Sequence, residues 1–180
     1  MGTIKTTNIE PIADNGTVTL GSSGDTFALG SGVTQTIANN TPAFHAYQNG
    51  NLSIANATFQ VVAFNTEYFD SNSAYNTSDG KFTVPSGEAG KYLFAFSFKR
   101  GNWHSNRFIA TFAKNNNDTA YFEDSASGST NYGSATGSII MDLAVGDYIT
   151  IKCYQDSGSA QNITGSTNQG SNIFSGFKLI

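Results

Sequence analysis

Tyr92, Phe94, Phe96 and Phe98 occupy every second position of one stretch, so in an extended strand four aromatic rings share a face. Each ring carries a large apolar area, and the row must lie against another sheet or another subunit. Just upstream, Phe82-Thr83-Val84-Pro85 predicts a short strand stopped by proline, followed by a Gly-flanked turn from Ser86 to Gly90. Further strands are predicted at Ala43–Tyr47, Thr58–Phe64, Lys81–Val84, Tyr92–Phe98, Arg107–Ala113, Thr119–Glu123, Ser138–Leu143, Tyr148–Gln155 and Asn172–Ile180. Helical periodicity is absent at any useful length. Short strands separated by Gly, Asn and Ser turns predict an all-β sandwich over residues 39–180.

Residues 1–38 differ from the rest. Thr17-Val18-Thr19-Leu20-Gly21-Ser22 is echoed by Thr26-Phe27-Ala28-Leu29-Gly30-Ser31, two short alternating strands each closed by Gly-Ser. One copy of so thin a segment cannot bury Ile4, Ile9, Ile12, Val18, Leu20, Phe27 and Leu29, whereas three copies wound about one axis can. This segment is expected to serve trimerisation and attachment.

Charge narrows the function. Only 12% of residues are charged and the formal net charge is -4. Nucleic-acid binding needs clustered Lys and Arg and is not expected. No run approaches the ~18 apolar residues of a membrane span, and no charged-then-apolar leader opens the chain. Membrane insertion is therefore not expected, and an extracellular role takes another route, such as virion assembly followed by cell lysis.

Catalytic chemistry has little to stand on. Cys153 is the one cysteine, so no intrachain disulfide forms; its phase with Ile149 and Ile151 predicts a buried, inert thiol. His45 and His104 lack neighbours at metal-ligand spacing, and His45 is expected to be packed or half exposed on its strand. No nucleophile elbow or phosphate-cradling loop is present. Glu67, Asp70, Asp79, Glu123 and Asp124 are read as surface acids rather than a glycosidase pair. No catalytic residue, cofactor or metal is assigned. Asn51, Asn56, Asn76 and Asn162 open Asn-x-Ser/Thr sequons that so Asn-rich a chain contains by chance.

Recognition is instead expected in loops. Trp103, His104 and Arg107 lie in one, Tyr132 in a second, Gln161 and Asn162 in a third. Rigid rings beside small polar groups suit adaptable binding surfaces. The alternative is that Trp103 plugs the end of the sandwich and the other loop residues only face solvent.

Phe82, Val84 and Pro85, then Gly90, Tyr92 and Phe94, resemble the Phe-x-Val-Pro and Gly-x-Tyr-x-Phe segments of the C1q-like domain, a jelly-roll relative of the tumour necrosis factor fold. Ala43-Phe44-His45-Ala46 is similar to the opening strand of such domains, and Phe174-Ser175-Gly176-Phe177 to their closing Phe-Ser-Gly-Phe. The turn between Pro85 and Gly90 is longer than the family's. The resemblance implies a homotrimer that packs inner-sheet aromatics near a threefold axis, with Phe44, Tyr92, Phe94, Phe174 and Phe177 as interface candidates. Only one face of a strand can point to the axis, so some of these rings are expected to fill the core of the single subunit instead. Some members bind calcium at the apex, where Asp124 and Asp156 would be the positions to consider.

On a jelly roll, alternate connections emerge at the same end. The links 99–106, 124–137 and 156–171 then share one pole, and the tight turns 114–118 and 144–147 share the other. The N-terminal segment is expected at the tight-turn pole, with the long loops facing outward.

Ile9-Glu10-Pro11, Thr19-Leu20-Gly21 and Gly24-Asp25-Thr26 resemble N-terminal sections of marine bacteriophage tail and fibre proteins. The combined expectation is a virion structural protein: a tail fibre, spike tip, head fibre or decoration protein. Its trimeric C1q-like head would adhere to a host-surface glycan or protein, and its N-terminal segment would dock on other virion proteins. It would be assembled in the host cytoplasm and carried on the virion surface. A non-viral C1q-like extracellular binding or matrix protein is the alternative, and a glycan depolymerase a third reading.

Overall fold

The computed structural model describes residues 41–101, 107–124, 133–165 and 172–179. The proposed attachment segment, residues 1–38, lies outside them. The described residues form strands and connections, with no helix.

In chain order the strands are β1 (Ala43–Tyr47), β2 (Leu52–Ile54), β3 (Gln60–Val61), β4 (Thr66–Asp70), β5 (Tyr75–Asn76), β6 (Lys81–Thr83), β7 (Gly90–Lys99), β8 (Phe108–Lys114), β9 (Asn117–Asp124), β10 (Ser134–Leu143), β11 (Tyr148–Gln155), β12 (Gln161–Ile163) and β13 (Ile173–Lys178). Two of the predicted strands, Ala43–Tyr47 and Tyr148–Gln155, coincide with β1 and β11. The predicted Thr58–Phe64 shrinks to the two residues of β3, and β2, β4, β5 and β12 were not foreseen.

β10, β7, β13, β1 and β4 form a five-stranded sheet in that order. β5, β6, β11, β8 and β9 form the facing sheet, with β3 also paired to β11, and β12 pairs with β2. All these strand pairs are antiparallel. The alternation predicted for β7 holds: Tyr92, Phe94, Phe96 and Phe98 are all buried, and the residues between them are not.

Between the sheets lies an aromatic core. Phe44 stacks on Tyr75 at 5.0 Å and on Phe82 at 5.1 Å, and meets Phe174 edge-on at 4.9 Å. Phe96 packs on Phe112 at 4.9 Å, joining β7 to β8 across the sandwich. Each such ring contributes about 1.5–3 kcal/mol by leaving water. Cys153 is fully buried in this core beside Ile149 and Ile151, and burial pushes its thiol pKa well up. It stays a protonated, apolar filler.

Register settles where the ends lie. β13 runs antiparallel to β1, pairing Tyr47 with Ile173 and Ala43 with Phe177. β7 places Ser97 beside Ile173, and β10 places Ser134 beside Lys99. The connections 100–107, 125–133 and 156–172 therefore leave from one pole. The chain enters β1 and leaves β13 at the other pole, with the tight turns; the connection lengths predicted this for β13 and the family resemblance implied it for β1. Backbone bonds tie this end together: Lys178 N–H donates to Pro42 C=O (3.0 Å) and Leu179 N–H to Lys91 C=O (2.7 Å).

Candidate functional site

Four of the five expected interface rings are not on the surface. Phe44, Tyr92, Phe94 and Phe174 are at most 1% exposed and fill the core of the single subunit. The register explains the correction. Residues directly opposite in a ladder point the same way, and Phe44, Gly176 and Phe94 are successive partners across β1, β13 and β7. All three point at the facing sheet. Phe177, an odd number of positions from Phe174, lies on the opposite, outward face and is half-buried.

That outward face is built in rows. One row runs Ile140, Leu93, Phe177, Ala43 across β10, β7, β13 and β1. The next runs Ser138, Ala95, Ser175, His45, Phe69, reaching β4, and a third runs Thr136, Ser97, Ile173, Tyr47, Thr66. None of these residues is charged. Ile140 is 61% exposed and Phe69 48%. His45 Nδ1 lies 2.6 Å from Ser175 Oγ, and partial burial lowers its pKa below the ordinary imidazole value. Tyr68, at the irregularity where β4 meets β1, adds a ring 6.1 Å from His45. Sequence reasoning overlooked Leu93, Ile140, Tyr68 and Phe69. For Leu93 and Ile140 the signal was available: both lie out of phase with the buried rows of their strands.

The facing sheet carries a second feature on its outward side. Ile109 on β8 is flanked by Glu123 on β9 and Tyr154 on β11, and Thr111 by Tyr121 and Lys152. Phe59, just before β3, places its ring 5.1 Å from Tyr154 and 6.1 Å from Tyr121. Phe59, Arg107, Ile109, Tyr121, Glu123 and Tyr154 line an open groove of about 460 Å³. Ile109, 6% exposed, forms the floor; Tyr121, 59% exposed, stands at the rim.

Its charges are paired. Arg107 Nε donates to Glu123 Oε1 at 2.8 Å, and that hydrogen bond holds the guanidinium pKa above its usual value. Lys152 Nζ donates to Asp118 Oδ1 at 2.9 Å, and the Tyr121 hydroxyl donates to Asp118 Oδ2 at 3.2 Å.

Of the expected loop residues, Arg107 reaches this groove, at the long-loop end of β8. Gln161 and Asn162 lie instead on β12, paired to β2, where Gln161 Nε2 donates to Ser159 Oγ at 3.2 Å. Trp103, His104 and Tyr132 lie outside the described residues. The surface acids have structural partners: Asp70 accepts from Tyr75 N–H (2.8 Å), and Asp79 pairs with Lys81 (2.9 Å). Asp156, a position considered for calcium, accepts from Arg107 N–H at 3.0 Å, and the side chain of Asp124 is outside the described set. Among the described residues no group of three or more His, Cys, Asp or Glu is placed to hold a metal ion.

The C1q domain family matches this chain over residues 43–179. No curated protein sequence matches it. Among solved structures, the globular domain of zebrafish complement 1qA protein superposes with a TM-score of 0.61 at 21% identity, covering 78% of this chain and 98% of that one. Eiger TNF from S. frugiperda gives 0.60 at 12% identity, with 77% and 92% covered. Murine APRIL gives 0.59 at 14% identity, with 76% and 98% covered. At these identities the likeness is one of fold.

Proposed function

Because the chain belongs to the C1q domain family, we propose that it is a homotrimeric adhesion protein whose heads join through the outward face of the five-stranded sheet. Domains of the C1q and TNF type form homotrimers. They are generally binding or signalling modules rather than enzymes.

The observation that carries this reading is the uncharged centre of the outward face, three rows bounded by the Lys91–Asp142 pair at one end and Lys99 at the other. A sheet face left to solvent normally alternates polar against the buried side, and a contiguous apolar patch marks an interaction site. Here Ile140, Leu93, Phe177 and Ala43 form an unbroken apolar row. Cyclic symmetry closes such a surface on itself without leaving it exposed.

The finer reading is a bacteriophage virion protein, a fibre tip or decoration protein displayed on the particle and adhering to the host surface. Its support is the likeness of residues 9–26 to phage fibre segments, together with the opposition of the two poles. Attached through the pole where β1 begins, the head would present connections 100–107, 125–133 and 156–172 outward, and three copies would add avidity to weak contacts.

Immunogold labelling of particles tests it. Gold at fibre tips or on the capsid, with purified head binding host cells, is the expected result. Gold confined to an extracellular matrix would favour the non-viral reading, and host polysaccharide shortened by the pure protein would favour a depolymerase.

A further inference from the structure

We infer that the groove on the outward side of β8, β9 and β11 is a binding site for a neutral pyranose of a surface polysaccharide. The inference deepens the adhesion reading above and rests on it, and it puts the contact on a sheet face rather than in the loops.

Three rings carry the argument. Phe59 neighbours both of the others, with its ring 5.1 Å from that of Tyr154 and 6.1 Å from that of Tyr121. They surround a floor of Ile109. Phe59 is 39% exposed and Tyr121 59%, so their apolar area faces water unless something covers it. Aromatic faces are electron-rich. A pyranose offers a flat face of polarised C–H bonds that such rings accept, and an edge of hydroxyls that they do not.

The hydroxyl edge has its own partners. Arg107 and Glu123 stand on the same groove wall, 2.8 Å apart, with side chains 51% and 41% exposed. A guanidinium has five N–H donors, and its hydrogen bonds to Glu123 use Nε and Nη2. A donor and an acceptor side by side match two neighbouring hydroxyls, each of which can both give and accept a proton.

Charge selects a neutral ligand. Arg107 is matched by Glu123 and Lys152 by Asp118, and Asp156 accepts from Arg107 N–H, so among the described residues no cation at the groove lacks a carboxylate beside it. An acidic sugar would meet the Glu123 carboxylate with Asp156 close by, and a cationic ligand would meet the Arg107 guanidinium. With about 460 Å³ the groove falls in the size range of small-ligand sites. Repeated three times on one trimer, a millimolar site becomes an effective attachment.

The test is saturation-transfer NMR on the full chain with mannotetraose, galactotetraose and maltotetraose, and a tetra-uronate as the acidic comparison. At least one neutral tetrasaccharide should receive saturation, with millimolar affinity, and the uronate should not. Tyr121→Ala and Tyr154→Ala should weaken that binding at least tenfold, while Tyr121→Phe retains it and all three keep the wild-type thermal midpoint. If all three neutral sugars fail to bind, or if they bind equally to Tyr121→Ala, the groove assignment is wrong. The adhesion reading is scored separately, by binding of the same variants to host cells. Cell adhesion that survives Tyr121→Ala and disappears with Trp103→Ala would overturn the groove and keep the adhesion. Sugar binding by the groove without any cell adhesion would do the reverse.

Discussion

Single residues decide how the core rings fit together. Gly176 is one: a Cβ there would come within 2.7 Å of Phe94 Cε1 and 2.9 Å of Phe44 Cε1. Both rings are locked in the core, so Gly176→Ala should cost about 1–3 kcal/mol as an overpacked site does. A lowered midpoint in thermal unfolding is the expected outcome; an unchanged one would mean the rings give way freely. Tyr75 is another. Its hydroxyl accepts from Phe64 N–H at 3.0 Å and donates to Phe64 C=O at 3.3 Å, and burial pushes its pKa up, so it stays protonated. Tyr75→Phe leaves both backbone groups without that partner and should destabilise by about 1–3 kcal/mol in urea, whereas Tyr121→Phe at the exposed groove rim should be near neutral. At this scale the sequence was informative about which side chains are apolar, and much less about which way they point. Phe174 and Phe177 were both interface candidates; their odd spacing puts them on opposite faces of β13, and it is Phe174 that turns into the core.

Among elements, the turn between β10 and β11 shows how polar groups hold a connection in place. Asp147 accepts from Lys114 Nζ (2.8 Å), Asn115 Nδ2 (2.7 Å) and Ala144 N–H (2.9 Å). Those bonds, the one from Lys114 foremost, bring its pKa from 3.8 down to about 2. Because the folded value lies below the unfolded one, the turn adds stability above pH ~4, and that contribution is lost as pH falls toward ~2. Asp147→Asn should therefore flatten the fall of stability over this window, measured by urea unfolding at a series of pH values; parallel curves for the two proteins would contradict the assignment. Long, regularly alternating strands such as β7 and β11 were legible in the sequence because one whole face is buried. The edge strand β4 was not: its burial runs half-buried, three exposed, half-buried, so nothing alternates. β2 and β12 span three residues each and take their shape from pairing with one another across the fold, a long-range relation that local pattern does not carry.

For the whole molecule, connection lengths said more than composition. Long and tight links alternating along the chain anticipated the two poles, and the strand register places β13 as that alternation requires and β1 as the family resemblance implied. The groove of Phe59, Tyr121 and Tyr154 was out of reach. It joins three segments distant in sequence, and none of the three residues stands out in its own stretch. Trimer assembly rests on the outward face of the five-stranded sheet, where Ile140 is 61% exposed in a single subunit and lies in a row with Leu93 and Phe177. Light scattering coupled to size exclusion, run at micromolar concentration on the wild type and on Ile140→Asp, tests that face most directly. The wild type should elute at about three times the 19.1 kDa chain mass, and the variant should shift toward the monomer while keeping its β-sheet spectrum. A wild-type mass of one chain, or a variant that stays trimeric, would contradict the account.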